Sequence, residues 1–189
     1  LTAQAKAGAL PLFTRCAAMD LLHKRGTVEL YQSPAGFAAA APDMAILRER
    51  GYGVSEIGPE EMRQLEPNFR LSFHRGLYFE DAYQFADPQA VIGRMAAQFS
   101  AEGGQLLKQE VTRLMRATTG GMDVICGEKH LRADKVVLAA GAWSSRLPGS
   151  GAEHLPLETE RGYHMMYAGQ ESLISRPIGW IDRGVFVSP

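Results

Sequence analysis

The residues best suited to chemistry follow an unbroken apolar run, Val136-Val137-Leu138-Ala139, and form the turn Ala140-Gly141-Ala142-Trp143. The run predicts a strand that is buried on both faces, as in the centre of a parallel sheet. Ligands bind at the carboxyl ends of such strands, and the small residues 140–142 would let a dinucleotide phosphate or ribose reach the backbone. Trp143 would then form a wall of the site. The spacing fits equally well a tight strand–helix turn with Trp143 in the core.

A second candidate site lies at Arg161 and Tyr163, which flank Gly162. Residues two apart on a strand point to the same side of it, so the guanidinium and the phenol would face one ligand. Together they can bind a carboxylate through charge-assisted hydrogen bonds, while Gly162 allows a close approach from the other face. The alternative is a partly exposed strand in which Arg161 pairs with a nearby acid such as Glu158 or Glu160.

Several other classes of site are excluded by composition and motif. Twenty basic and 21 acidic residues among 189 give a formal net charge of −1, so no overall positive field favours nucleic acid. The chain carries none of the Gly-x-Gly-x-x-Gly, His-Glu-x-x-His or Gly-x-Ser-x-Gly motifs. Its two cysteines, Cys16 and Cys126, predict neither a zinc site nor a disulfide framework. No apolar run reaches the ~18 residues of a membrane span. We therefore predict no metal ligands and no transmembrane segment, and we identify no catalytic residue.

The elements that must position these residues alternate between helical and strand patterns. Residues 1–26 predict helix up to Gly26, and Asp87-Pro88 begins the clearest helix of the chain. Residues 28–31 predict a short strand, and the alternation over 157–167 predicts a long one. Helices with short strands, then an α/β segment, then antiparallel-type strands indicate two interleaved architectures.

Ordered motifs over nearly the whole chain resemble one family. Residues 133–144, ADKVVLAAGAWS, resemble the second nucleotide-facing motif of the FAD-dependent amine and D-amino-acid oxidoreductases, the DAO type. Ala86-Asp87-Pro88, Gly103-Gly104 and Glu110-Val111 precede it in the family's order, and residues 155–163, LPLETERGY, resemble the entry into the substrate sheet. Within the family, the chain is most similar to bacterial D-amino-acid dehydrogenases of the small-subunit type.

The resemblance implies a mixed α/β fold: part of a Rossmann-type FAD-binding domain, interleaved with part of a substrate domain built on a mixed β-sheet with flanking helices. It assigns residues 1–75 to a helical portion of the substrate domain, 76–147 to the FAD-binding domain and 148–189 to the substrate sheet. The family's Gly-x-Gly-x-x-Gly unit is expected before Leu1 and its glycine-rich flavin loop after Pro189. The chain is thus expected to be an internal piece of a longer protein, inactive by itself.

FAD is the implied cofactor, and an amino acid is the implied substrate. The cofactor contacts implied by the family are the Val111 backbone and the turn Ala140, Gly141, Ala142 and Trp143. The expected substrate contacts are Arg161 and Tyr163.

The implied reaction oxidises the C–N bond of a D-amino acid by hydride transfer to flavin, giving an imine and then a 2-oxo acid. The electron acceptor is not specified by the residues. One alternative is a related flavoprotein acting on sarcosine, glycine or a 2-hydroxy acid. Another is a non-catalytic ligand-binding module that has lost the cofactor. The implied location is the cytoplasm, with or without peripheral attachment to the inner membrane.

Overall fold

The computed structural model describes residues 2–170 and 173–189, and the chain divides into two compact units. The large unit comprises residues 1–104 and 166–189, and the small unit comprises residues 105–165. Helices and strands are mixed along the chain, which confirms the predicted mixed α/β class. The predicted portions were assigned by their expected binding roles, whereas these two units are defined by compactness. The predicted division into cofactor-binding and substrate-binding portions therefore stays a prediction.

The helices and strands are numbered along the chain. The helices are α1 (Thr2–Arg15), α2 (Pro34–Ala39), α3 (Ala41–Glu49), α4 (Pro59–Leu65) and α5 (Pro88–Ala101). The strands are β1 (Leu22–Lys24), β2 (Thr27–Tyr31), β3 (Val54–Ile57), β4 (Arg75–Phe79), β5 (Tyr83–Phe85), β6 (Arg113–Arg116), β7 (Met122–Cys126), β8 (Lys129–Ala133), β9 (Ile178–Trp180) and β10 (Val185–Val187).

The large unit is built on a five-stranded sheet in the order β10-β9-β2-β4-β3. Strand β9 runs parallel to β2, and the other neighbours in this sheet are antiparallel. Successive residues of a strand face opposite sides, so Leu30 and Tyr31 belong to different cores. The core that contains Leu30 also holds Val28, Ile57, Met62 and Ile178. The core that contains Tyr31 also holds Met44 and Leu77.

Local signals explain where α4 and α5 begin. The Asp87 carboxylate accepts a hydrogen bond from the Ala90 N–H at 2.9 Å, and Pro88 occupies the first turn of α5. At α4, Glu61 Oε2 accepts a hydrogen bond from the Gly58 N–H at 2.9 Å. Backbone N–H groups at the start of α4 lower the pKa of Glu61, because they stabilise its charged form.

The predicted helix over residues 1–26 is wrong beyond Arg15. The backbone turns at Ala17, whose φ of 50° lies in the left-handed region, and residues 22–24 form β1. Strand β1 pairs with β5, placing Leu22 opposite Phe85, and Phe13 of α1 contacts Phe85 at 5.2 Å between ring centroids. Pairing with a distant strand therefore overrides the local helical pattern.

The small unit contains an antiparallel three-stranded sheet in the order β6-β7-β8. The predicted strands at 136–139 and 157–167 do not form: both segments lie outside regular structure, and Val137 and Tyr163 are 90% and 88% exposed. A strand needs a neighbouring edge to pair its N–H and C=O groups. No described strand pairs with either segment, so their apolar patterns remain unpaired.

A buried ion pair precedes β9 and fixes its approach to the sheet. Glu66 is only 2% exposed, and its carboxylate accepts the Arg176 Nε–H at 2.8 Å. The same carboxylate accepts the backbone N–H of Ser175 at 2.9 Å and the Ser175 hydroxyl at 2.6 Å. Arg176 also lies over the Tyr78 ring, with Cζ 5.5 Å from its centroid, and donates to the Tyr78 hydroxyl at 3.2 Å. Both oxygens of the buried carboxylate are therefore hydrogen-bonded by neighbouring groups.

A second carboxylate holds the chain just after β9. Asp182 accepts the backbone N–H of Gln32, which follows β2. A Cβ at Gly36 would collide with the Asp182 carboxylate, which would then have to move. Side-chain hydrogen bonds thus hold the chain to Glu66 just before β9 and to Gln32 just after it.

We expect Met62→Ala to lower the free energy of unfolding of the large unit by about 2–5 kcal/mol, because Met62 is fully buried and truncation leaves a cavity. Met19→Ala is the control, since Met19 is 41% exposed. Urea unfolding measures both changes. Equal, small losses would contradict the assignment of Met62 to the core.

We expect Arg176→Met to cost about 3–5 kcal/mol, because it leaves the Glu66 carboxylate buried without its cation. Arg63→Met removes an exposed ion pair with Glu60 and should cost no more than about 1 kcal/mol. The comparison is made by urea unfolding at one pH. If the two variants lose the same stability, the buried pair does not anchor the segment before β9.

Candidate functional site

The small unit contains a concave pocket of about 840 Å³. This volume lies within the range of small-molecule and cofactor sites. Most of its wall is aliphatic, with one indole and few polar groups. The lining residues are Glu110, Val111, Thr112, Leu114, Val124, Val136, Val137, Leu138, Ala140, Trp143, Arg146, Leu147 and Pro148.

Three of the predicted cofactor residues meet in this pocket. Val111, Ala140 and Trp143 all line it, although Val111 is distant from the other two in sequence. Gly141 and Ala142 belong to the same 3₁₀ turn, Gly141–Arg146, but they do not line the pocket. Gly141 has φ +55° and open space around the position of a Cβ, so conformation rather than crowding favours glycine there.

Two local contacts position the lining residues. The Thr112 N–H donates to Ile125 O at 2.8 Å, which fixes the chain next to Val111 at the end of the β6-β7 pair. The Trp143 N–H donates to Ala140 O at 3.1 Å and closes the first turn of the 3₁₀ segment. Trp143 itself is 63% exposed, so it is a wall of the pocket and not a core residue.

The pocket also presents backbone groups that are not used elsewhere. Neither the Val111 backbone nor the backbone of residues 136–139 makes a hydrogen bond to any other described residue. Polar backbone groups beside an apolar, indole-walled cavity can pair with the edge of a nucleobase while its faces contact the aliphatic wall. The residues present therefore fit the nucleoside part of a dinucleotide such as FAD.

The loop after the 3₁₀ turn completes the pocket wall with Leu147 and Pro148. It is attached to β6, because the Leu114 N–H donates to Pro148 O at 2.9 Å. A Cβ at Gly149 would lie only 1.9 Å from Leu114 O, so this close approach requires glycine. The Gly149 N–H donates to Glu153 Oε1 at 2.7 Å. Glu153's own backbone N–H and that of Gly149 lower the pKa of the Glu153 carboxyl by stabilising its charge.

Two charged lining residues, Glu110 and Arg146, were not singled out as site residues from the sequence. Glu110 directly precedes Val111, and Arg146 ends the 3₁₀ turn that holds Trp143. Their positions next to predicted site residues are the one sequence signal for them. That signal is insufficient, because sequence order does not say which side chains face the cavity.

The predicted substrate pair is separate from the pocket. Arg161 and Tyr163 are exposed and do not line it, and neither makes a hydrogen bond or ion pair with another described residue. The predicted common face of a long strand is absent, because residues 157–167 are unpaired. Their role in substrate binding stays a prediction.

Three further observations concern metal ligands, cysteines and membrane-spanning helices in the described residues. Within residues 2–170 and 173–189, no group of three or more His, Cys, Asp or Glu side chains is arranged to hold a metal ion. Cys16 and Cys126 are both free thiols. No helix in the described part of the chain combines the length and apolarity needed to cross a membrane.

Known proteins match the chain in both sequence and fold. The chain is 31% identical to a D-amino-acid oxidase of Bradyrhizobium diazoefficiens over 81% of its own length and 36% of that protein. A glycine oxidase from Bacillus cereus superposes with a TM-score of 0.73 at 17% identity, covering 99% of this chain and 51% of the other. An L-proline dehydrogenase from P. horikoshii superposes with a TM-score of 0.71 at 14% identity, covering 94% and 50%. The two structures show a shared fold.

The chain spans between about a third and a half of the length of these proteins. The family described as "DAO: FAD dependent oxidoreductase" matches residues 6–189, which is nearly the whole chain. By this match and by the identity to a curated relative, the chain belongs to the DAO family of FAD dependent oxidoreductases.

Proposed function

We propose that the protein binds FAD and oxidises the C–N bond of a D-amino acid to an imine, which water hydrolyses to a 2-oxo acid. The observation that carries the proposal is the small-unit pocket, where Val111, Ala140 and Trp143 converge from separate parts of the chain. The 31% identity to a D-amino-acid oxidase supports the choice of substrate.

Each part of the pocket has a separate role in this proposal. The unpaired backbone of Val111 would hydrogen-bond the edge of the adenine, and the aliphatic wall would cover its faces. Trp143 would shield the cofactor from water, and the turn at residues 140–142 would let the cofactor come close to the backbone. When bound, FAD supplies a two-electron acceptor for the hydride of the carbon that carries the amine.

Substrate orientation is the part of the proposal assigned to Arg161 and Tyr163. Both side chains are exposed, and neither is engaged by another described residue. The guanidinium fork can bind a carboxylate through two parallel hydrogen bonds, and the phenol can donate a third. Binding the carboxylate fixes the position of the reacting C–H bond. Orienting the substrate in this way is the main contribution of the protein to such a reaction.

The proposal is tested on the protein expressed from its complete reading frame. We expect visible flavin absorbance after purification, and reduction of an artificial electron acceptor by D-alanine in excess of that by L-alanine, glycine, sarcosine or lactate. A coloured protein reduced by glycine or sarcosine instead would move the substrate to that class. A colourless protein, inert with all five compounds, would support a binding module that has lost the cofactor.

We expect Trp143→Ala to weaken FAD affinity roughly tenfold, in line with the ~1–3 kcal/mol that an aromatic side chain contributes by stacking on a base. Because Trp143 is mostly exposed, the thermal midpoint of the FAD-free protein should change little. Leu106→Ala is the control, since Leu106 is an exposed apolar residue of the same unit outside the pocket. Titration with FAD measures all three proteins. Unchanged affinity in the Trp143 variant would remove this residue from the cofactor site.

A further inference from the structure

The small-unit pocket has a single basic side chain among its lining residues, Arg146. Arg146 is exposed and makes no hydrogen bond or ion pair with any other described residue. Arg132 of the same unit differs, because its guanidinium binds Asp123 at 3.0 Å and Thr119 at 2.9 Å. Arg146 therefore keeps all of its donors available to a ligand in the pocket.

The pocket also has one acidic lining residue, Glu110, which precedes Val111. Neither Glu110 nor Arg146 makes an ion pair with another described residue, so both charges are available to a ligand. A carboxylate repels phosphate but accepts hydrogen bonds from ribose hydroxyls. The guanidinium attracts phosphate and can bind two of its oxygens at once. The carboxylate thus favours the ribose of a nucleotide, and the guanidinium favours its phosphates.

We propose that Arg146 binds the diphosphate of the dinucleotide, with the nucleoside oriented toward Val111 and Glu110. This inference rests on the proposed FAD binding and adds the direction in which the cofactor lies. It also gives the pocket a phosphate contact that lies outside any glycine-rich motif.

The test compares ADP with adenosine, which differ by the diphosphate. Calorimetric titration of the FAD-free protein should show tighter binding of ADP than of adenosine. Arg146→Gln should weaken ADP binding roughly tenfold or more, since a hydrogen bond to a charged group is lost, and should change adenosine binding less than twofold. Arg146→Lys keeps the charge and should recover part of the ADP affinity.

Arg113→Gln is the matched control, because Arg113 is an exposed arginine of β6 outside the pocket lining. Its ADP affinity should equal that of the unaltered protein. An equal loss of ADP and adenosine in the Arg146→Gln variant, or an equal loss of ADP in both glutamine variants, would overturn the role of Arg146. If the unaltered protein binds neither compound, the proposed function itself fails, and this inference fails with it.

Discussion

The architecture of the large unit depends on one buried carboxylate, Glu66. Removing a charge from water is costly unless nearby partners satisfy it, and here a guanidinium, a hydroxyl and a backbone N–H all do so. All three groups belong to Ser175 and Arg176, which lie just before β9. The carboxylate is therefore satisfied only when this segment returns to the sheet, and β9 then pairs with β2. Strand β10 pairs with β9, so its place in the sheet depends on the pairing of β9 with β2.

The elements that could be predicted from the sequence are those with short-range causes. Asp87 and Pro88 define the start of α5 because the capping hydrogen bond spans only a few residues. The two glycines at 120 and 121 adopt positive φ and reverse the chain between β6 and β7. The failures at 17–24, 136–139 and 157–167 share a different cause. Whether an apolar pattern becomes a strand depends on a partner edge elsewhere in the chain, which the pattern does not contain.

Part of the candidate site could likewise be predicted from the sequence. Family resemblance and small-residue spacing pointed to Val111, Ala140 and Trp143, and these three do line one pocket. The charged residues Glu110 and Arg146 could not be selected in advance. Their significance comes from facing the cavity without a protein partner, which is a property of three-dimensional packing. Arg161 and Tyr163 have the right chemistry to bind a carboxylate, but the strand expected to align them is not formed.

The pairing of β2 with β9 also has a kinetic consequence. Thr27 and Pro177 are hydrogen-bonded although 150 residues separate them, and the whole small unit lies between them in sequence. A contact of such range contributes strongly to contact order and can form only late. On the ribosome, β2 and β4 emerge long before β9, so one edge of β2 stays without its partner during synthesis. We therefore expect the half-built sheet to be the most aggregation-prone species of this chain, with its need for chaperones greatest before Arg176 emerges.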